Sequence, residues 1–197
     1  FANPSAGQPD FRTSFGNSLA TNSGVSGYPS GTVNRHKFDG ATTAALDRGA
    51  WTSKGSDIKK FDSPVNVGVQ TTFDEATREL TVNAKLYYTG NSPAAKIFIH
   101  VAFMENGYIH LITGQWGAEI ATTTLGTSHN LTYKYTVPAQ YDINKCEVAV
   151  FVSETRNEIY SDKKVKANGG RTLLLDDLST NNPYQFIDGS SNKEIVF

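Results

Sequence analysis

With a single cysteine, Cys146, the chain can form no internal disulfide. That thiol sits in Lys145-Cys146-Glu147-Val148-Ala149-Val150, in phase with Val148, Val150 and Val152. Free cysteine is among the most buried residue types, so the phase makes Cys146 a core thiol, and no histidine or asparagine arrangement marks it as a nucleophile. Neither sign of charge is in excess. The 18 Lys and Arg against 19 Asp and Glu leave a net charge of −1, which removes the electrostatic argument for nucleic acid or an anionic membrane surface as partner. No window holds the run of about 18 apolar residues that a membrane helix needs. Also missing are a Gly-x-Ser-x-Gly elbow, a phosphate loop, a dinucleotide fingerprint, His-Glu-x-x-His and paired Cys spacing, so the sequence carries no catalytic signature and calls for no cofactor. The chain opens on Phe1 rather than Met, which reads as a processed or cut N-terminus, so the lack of a signal peptide is silent on secretion.

What is present describes a globular chain. Hydrophobic residues make up 38%, charged 19% and aromatic 11% of 197 residues, enough for one to two domains. Abundant Gly, Asn, Ser and Thr favour turns and short strands. Residues 1–62 form one compositional region. Asp10 to Ala20 reads as a short helix with Asp10 as its N-cap, and Gly27-Tyr28-Pro29 follows as a tight turn in which Pro29 is a candidate cis proline. Thr32 to Asn34 reads as a short strand. Thr43 to Lys60 reads as a second helix, interrupted by Gly49 and Gly55, that leans on Leu46, Trp51 and Ile58. Ser63-Pro64 then marks a boundary.

From Val65 the period becomes two, and residues 63–197 read as an antiparallel β domain. Val65, Val67, Val69 and Thr71 alternate with polar residues; after Asp74-Glu75-Ala76-Thr77 the alternation resumes with Leu80, Val82, Ala84 and Leu86. Pairing Phe73 with Arg78 puts Thr71 opposite Leu80 and Val69 opposite Val82, so both apolar sets share one face. A second hairpin, Lys96–Met104 with Tyr108–Thr113, turns at Asn106-Gly107. It sets Glu105 opposite Tyr108 and Phe103 opposite His110. Its first strand is apolar on both faces and so must be covered on both. Leu131, Tyr133, Tyr135 and Val137 alternate in another strand, and Asn144–Ser153 pairs with Glu158–Ala167 around Thr155-Arg156-Asn157. Strands at such intervals indicate a β-sandwich. Beyond the Asn168-Gly169-Gly170 break, Arg171 to Leu178 reads as a strand, and Tyr184–Asp188 as a partner of Lys193–Phe197.

Candidate chemistry is sparse. In the hairpin register His100 and His110 point to opposite sides of the sheet and cannot share a metal; His36 and His129 add no ligand spacing. Asp176-Asp177 and the stretch from Asp188 to Glu194 offer oxygen ligands, but without EF-hand spacing they read as solvated turns. Aromatic residues carry the remaining signal. Tyr108 borders a hairpin tip, and Trp116 sits in the loop Gly114-Gln115-Trp116-Gly117. Such rings stack on sugars or anchor protein partners, or, for Trp116, close one end of the core.

Four motifs in order carry a family resemblance: DFRTSFGNSLATNSGVSGYPSGTVNR, the hairpin TTFDEATRELTV, HVAFMENGYIH with GQWG, and YTVPAQYDINKCEVAVFVSE. Together they resemble the Omp-twenty-eight family of Bacteroidetes outer-membrane lipoproteins, of the Porphyromonas type, described as adhesin-like surface proteins. The resemblance implies a mainly β protein: an antiparallel β-sandwich preceded by the C-terminal part of a thioredoxin-like α/β domain, here residues 1–62. It also implies a lipid anchor outside this chain, an outer-membrane or cell-surface location, and a non-enzymatic role in binding a host or bacterial surface protein or glycan. In thioredoxin-like proteins the residue before the cis proline borders a peptide groove, which makes Tyr28 a groove residue by resemblance, although its plainer reading is as a packing residue. The alternatives are a thiol-handling envelope protein whose Cys-x-x-Cys lies before Phe1, or a carbohydrate-binding accessory module. One departure is plain: many relatives have His-Asn-His-Val after the Asn-Gly turn, where this chain has Tyr108-Ile109-His110-Leu111.

Overall fold

The computed structural model describes residues 4–8, 10, 12–92, 94, 96–105, 108–121, 123–154 and 156–172. These form two units, one of residues up to Asp62 with Arg156–Glu158, the other of the chain from Ser63 apart from that tip.

In the first unit helix α1 spans Ser14–Ser23, not Asp10–Ala20. Its cap is Thr13, whose hydroxyl accepts from the Gly16 amide at 3.0 Å, while Asp10 instead grips the Arg12 guanidinium and backbone N–H. The helix ends at Gly24 in the left-handed region, φ 74°, with the Val25 amide returning to the Ala20 carbonyl. The Tyr28–Pro29 bond is cis, as the turn predicts. The strand after it, β1, is Ser30–Gly31 rather than Thr32–Asn34, and pairs with β2, Leu46–Asp47. Asn34 and Arg35 take positive φ, which breaks the extended run expected there. The long helix predicted from Thr43 is also shorter: after β2 comes a 3-10 turn, Arg48–Ala50, and then α2, Trp51–Ile58. Asp47 caps that turn through the Gly49 amide, so Gly49 starts a helix where it was expected to interrupt one. Trp51 is the anchor: its indole N–H donates to the Leu46 carbonyl and its ring lies against Gly31. Among the described residues no thioredoxin-like sheet is shown.

The second unit is a two-layer antiparallel assembly. Its strands are β3 (Val65–Asp74), β4 (Glu79–Tyr88), β5 (Ile97–Glu105), β6 (Tyr108–Leu111), β7 (Ala118–Ile120), β8 (Ser128–Thr136), β9 (Glu147–Glu154) and β10 (Ile159–Lys166). One sheet has the order β10-β9-β5-β6, with β7 also on β5; the other is β3-β4-β8. Val67, Val69, Leu80, Val82 and Leu86 from one meet Ile97, Ile99, Val101, Phe103, Val148 and Val150 from the other in a single buried cluster, as expected of a β-sandwich.

The β3–β4 hairpin keeps its faces but not its register. Phe73 pairs with Leu80, Thr71 with Val82 and Val69 with Ala84, two residues from the expected pairing. The Asp74 carboxylate accepts from the Ala76 and Thr77 amides, which hold it below the usual carboxylate range, and Arg78 takes φ 54°, so the loop closes one residue later. A slip of two preserves the side of every residue, which is why the apolar face survives. The β5–β6 register is as predicted, Glu105 with Tyr108 and Phe103 with His110, while its Asn-Gly tip lies outside the described residues. Both faces of β5 are covered: beyond the core side, His100, Ala102, Phe151 and Ser153 are buried too. β9 and β10 pair as expected, with a bulge between Ile159 and Ser161 and Asn144 in a separate 3-10 turn. After β10, Arg171 bridges Gln70; the remaining tail strands fall outside the described residues. Tyr88 is fully buried with no hydrogen-bond partner for its hydroxyl among the described residues, and burial pushes its pKa up to about 12.

Candidate functional site

The β5–β6 register fixes Glu105 and Tyr108 side by side at one end of the five-stranded sheet. The same alternation sends Phe103 and His110 toward the other sheet. The His110 ring stacks on Tyr135 at 4.5 Å between centroids, and Phe103 meets Tyr135 at 5.3 Å and Tyr141 edge-on at 5.7 Å. Tyr141 comes from the loop that follows β8, and Arg78 braces that loop. Arg78 donates from Nε to the Val137 carbonyl at 2.9 Å and from one terminal nitrogen to those of Pro138 (3.1 Å) and Tyr141 (3.0 Å). Arg78 itself sits at φ 54° in the turn between β3 and β4. Glu105, Tyr108, Gln140 and Tyr141 thereby line a shallow depression of about 310 Å³. Their side-chain polar atoms make no hydrogen bond or ion pair with the described chain. Tyr108 is 62% exposed. A surface with an open ring and polar groups that the described chain leaves free is suited to contacting a ligand.

Behind the depression Asp142 caps the 3-10 turn Ile143–Lys145, and the Cys146 thiol donates to the Asp142 carbonyl at 3.1 Å. Cys146 is buried, as its phase predicts. Burial, then the Glu105 and Asp142 carboxylates, push its pKa up to about 11. At neutral pH it is a poor nucleophile. The folded state therefore holds the proton more tightly than the unfolded one, so this contribution is whole below the ordinary value of 9.0 and is lost as pH rises through about 11. Denaturation midpoints should fall across that interval in the native protein and fall less in Cys146→Ala; equal slopes would contradict the assignment.

The structure does not bring the three predicted recognition residues together. Tyr28, 54% exposed, stands beside cis Pro29 in the first unit, at a depression of about 350 Å³ that Ser30, Thr43 and Asp47 also line. Trp116 is half-buried, and its loop returns to β5 at the other end: Gly117 lies against Ile99 and His100. Ile99 and Glu105 are about 20 Å apart along the strand. Tyr108 and Tyr28 thus border separate depressions, one in each unit, and Trp116 lines neither. The companions that sequence reading missed are Glu105, Gln140 and Tyr141. The hairpin register already places Glu105 beside Tyr108, whereas the approach of Gln140 and Tyr141 depends on Arg78 and has no local signal.

The four histidines occupy four settings. His36 lies 2.7 Å from the Glu158 carboxylate and edge-on to Phe38. His100 is buried, bonded to Ser153 at 2.7 Å and stacked on Phe151. His110 lies on the opposite face, as the register predicts, and His129 neighbours Tyr88. No group of three or more metal-ligating side chains gathers among the described residues. Asp176, Asp177 and the Asp188 to Glu194 stretch lie outside them.

No family model and no curated protein matches the chain. Among solved structures it resembles HBP35 of Porphyromonas gingivalis, with a TM-score of 0.62 and 14% identity over 93% of this chain and 64% of that one. A domain of the outer membrane lipoprotein Omp28 from Porphyromonas gingivalis is 21% identical over 54% of this chain and 89% of its own, with a TM-score of 0.44. The RIM2 C2A domain, at 0.40 and 13%, covers 59% of this chain and 93% of its own. The last two superpose too loosely to carry an argument. The chain thus spans just under two thirds of HBP35, and what it shares with that protein is a mainly β, antiparallel fold.

Proposed function

We propose that this chain is a non-enzymatic binding module of a bacterial cell-surface protein, held at the outer membrane by a lipid anchor outside the chain. In this reading it has an adhesin-like role and recognises a host or bacterial surface molecule through the depression at Tyr108. The motif resemblance to outer-membrane lipoproteins supports the location. One observation carries the site: Tyr108 is the open wall of a depression whose four lining side chains keep their polar atoms free of the described chain. Exposed tyrosines are frequent anchors because they offer large rigid area with a polar tip.

Beads coated with the full chain should adhere to epithelial cells, and Tyr108→Ala should lower adhesion about tenfold or more, the loss expected of an anchor residue. Tyr28→Ala, altered in the other unit, should adhere like the unsubstituted chain. Because Tyr108 is exposed, thermal unfolding should not change. Undiminished adhesion by folded Tyr108→Ala would refute the reading.

A further inference from the structure

A sheet edge needs either a partner or a device that keeps one away, because its outward N–H and C=O groups form a template for another strand. Other edges of the sandwich carry such devices. The middle of β3 is taken on its outer side, where the Thr71 amide donates to the Gly170 carbonyl at 2.8 Å and the Thr172 amide to the Val69 carbonyl at 2.9 Å. β10 has a bulge between Ile159 and Ser161 and the charges of Asp162, Lys163, Lys164 and Lys166. β6 and β7 are four and three residues long.

β8 has none of these. It ends the order β3-β4-β8, runs nine residues and keeps an unbroken register against β4. It holds no proline or glycine, and its one lysine, Lys134, is turned onto Glu79 of β4 at 2.6 Å. The Val137 amide donates to the Arg78 carbonyl, so odd-numbered residues of β8 bond toward β4. The backbone groups of Asn130, Thr132 and Lys134 therefore face outward, and they meet no partner among the described residues.

This edge is also complementary to itself. Two antiparallel copies centred on Thr132 overlap along the whole strand, with the two Thr132 residues opposite each other. Asn130 of one copy then faces Lys134 of the other, Leu131 faces Tyr133, and His129 faces Tyr135. Threonine pairs and aromatic pairs are favourable across strands, like charges directly opposite are not, and this register keeps the two lysines apart. Leu131, Tyr133 and Tyr135 are half-buried at the rim of the core, so the pairing covers apolar surface that one copy leaves partly wet. We propose that β8 pairs antiparallel with β8 of a second copy of this chain, about a two-fold axis at Thr132, and joins the two β3-β4-β8 sheets into one continuous sheet.

Sedimentation equilibrium of the full chain tests this. The native chain should form dimers whose share rises with concentration. Thr132→Pro removes an outward donor from each copy while sparing the ladder to β4, and should weaken the dimer about tenfold or more. Thr132→Lys and Thr132→Glu each set like charges opposite one another and should weaken it about fivefold. An equimolar mixture of these two should associate more tightly than either alone, because the opposed charges then attract. Thr132 is exposed, so thermal unfolding of dilute protein should match the native chain; if the proline variant melts early, the two charged variants decide. A chain that stays monomeric up to about millimolar concentration, a dimer indifferent to the charged variants, or a mixture no tighter than its components would overturn the proposal.

Discussion

Replacing Arg78 by alanine is expected to lower stability by about 3 kcal/mol and to weaken adhesion without touching a residue that lines the depression. Hydrogen bonds to a charged group contribute about 1.5–3 kcal/mol each, although three on one guanidinium do not add fully. The carbonyls of Val137, Pro138 and Tyr141 would all lose this donor, and the loop carrying Gln140 and Tyr141 would lose its tether. Two further variants separate the causes. Arg78→Gly also loses the three bonds but relieves the positive φ, so it should be about 1 kcal/mol less destabilised than the alanine variant. Arg78→Lys keeps the charge without the planar fork and should recover only part of the loss. Urea denaturation of the three proteins checks the order. An alanine variant within about 0.5 kcal/mol of the unsubstituted protein, the range of ordinary surface substitutions, would show that the loop is held by something else.

Gly117→Ala should be as damaging, by about 3 kcal/mol or more. Its φ of 77° alone costs a side-chain-bearing residue about 1–2 kcal/mol. In addition, an added Cβ would stand 2.6 Å from the Ile99 carbonyl oxygen and 3.0 Å from two atoms of the buried His100 ring. Neither neighbour yields easily: Ile99 pairs with β9 and β7, and His100 is held by Ser153 and stacked on Phe151. Gly114→Ala is the control, because Gly114 has φ 79° with open space around its Cβ position. It should pay the backbone cost alone. Thermal melts in which both variants lose the same stability would refute the close approach of this loop to β5.

Period-two patterning is the part of the fold that the chain displays locally. Val65, Val67 and Val69 against Leu80, Val82 and Ala84 define a face whatever the turn does, so the hairpin could be read even though its register slid by two. The Asn-Gly turn fixed Glu105 opposite Tyr108 because a two-residue loop leaves no freedom. The first 62 residues were less legible because their elements are capped and short. Thr13 outcompetes Asp10 as N-cap while Asp10 binds Arg12, and Asp47 opens a 3-10 turn inside what composition reads as one helix. At the candidate site Tyr108 was visible from its place beside a turn. Gln140 and Tyr141 were not, since Arg78 braces their loop at Val137, Pro138 and Tyr141 across 59 to 63 residues of sequence, and no periodicity records that. Trp116 and Tyr28 look like Tyr108 in sequence, yet each lies elsewhere.

Differential hydrogen–deuterium exchange of the full chain, free and bound to epithelial cell membranes, tests the recognition surface most directly. Protection should concentrate on residues 104–111 and 138–142, the two segments that meet at the depression, and should vanish in Tyr108→Ala. Protection around Tyr28 or on the outward side of β4 and β8, with none at 104–111 and 138–142, would contradict it.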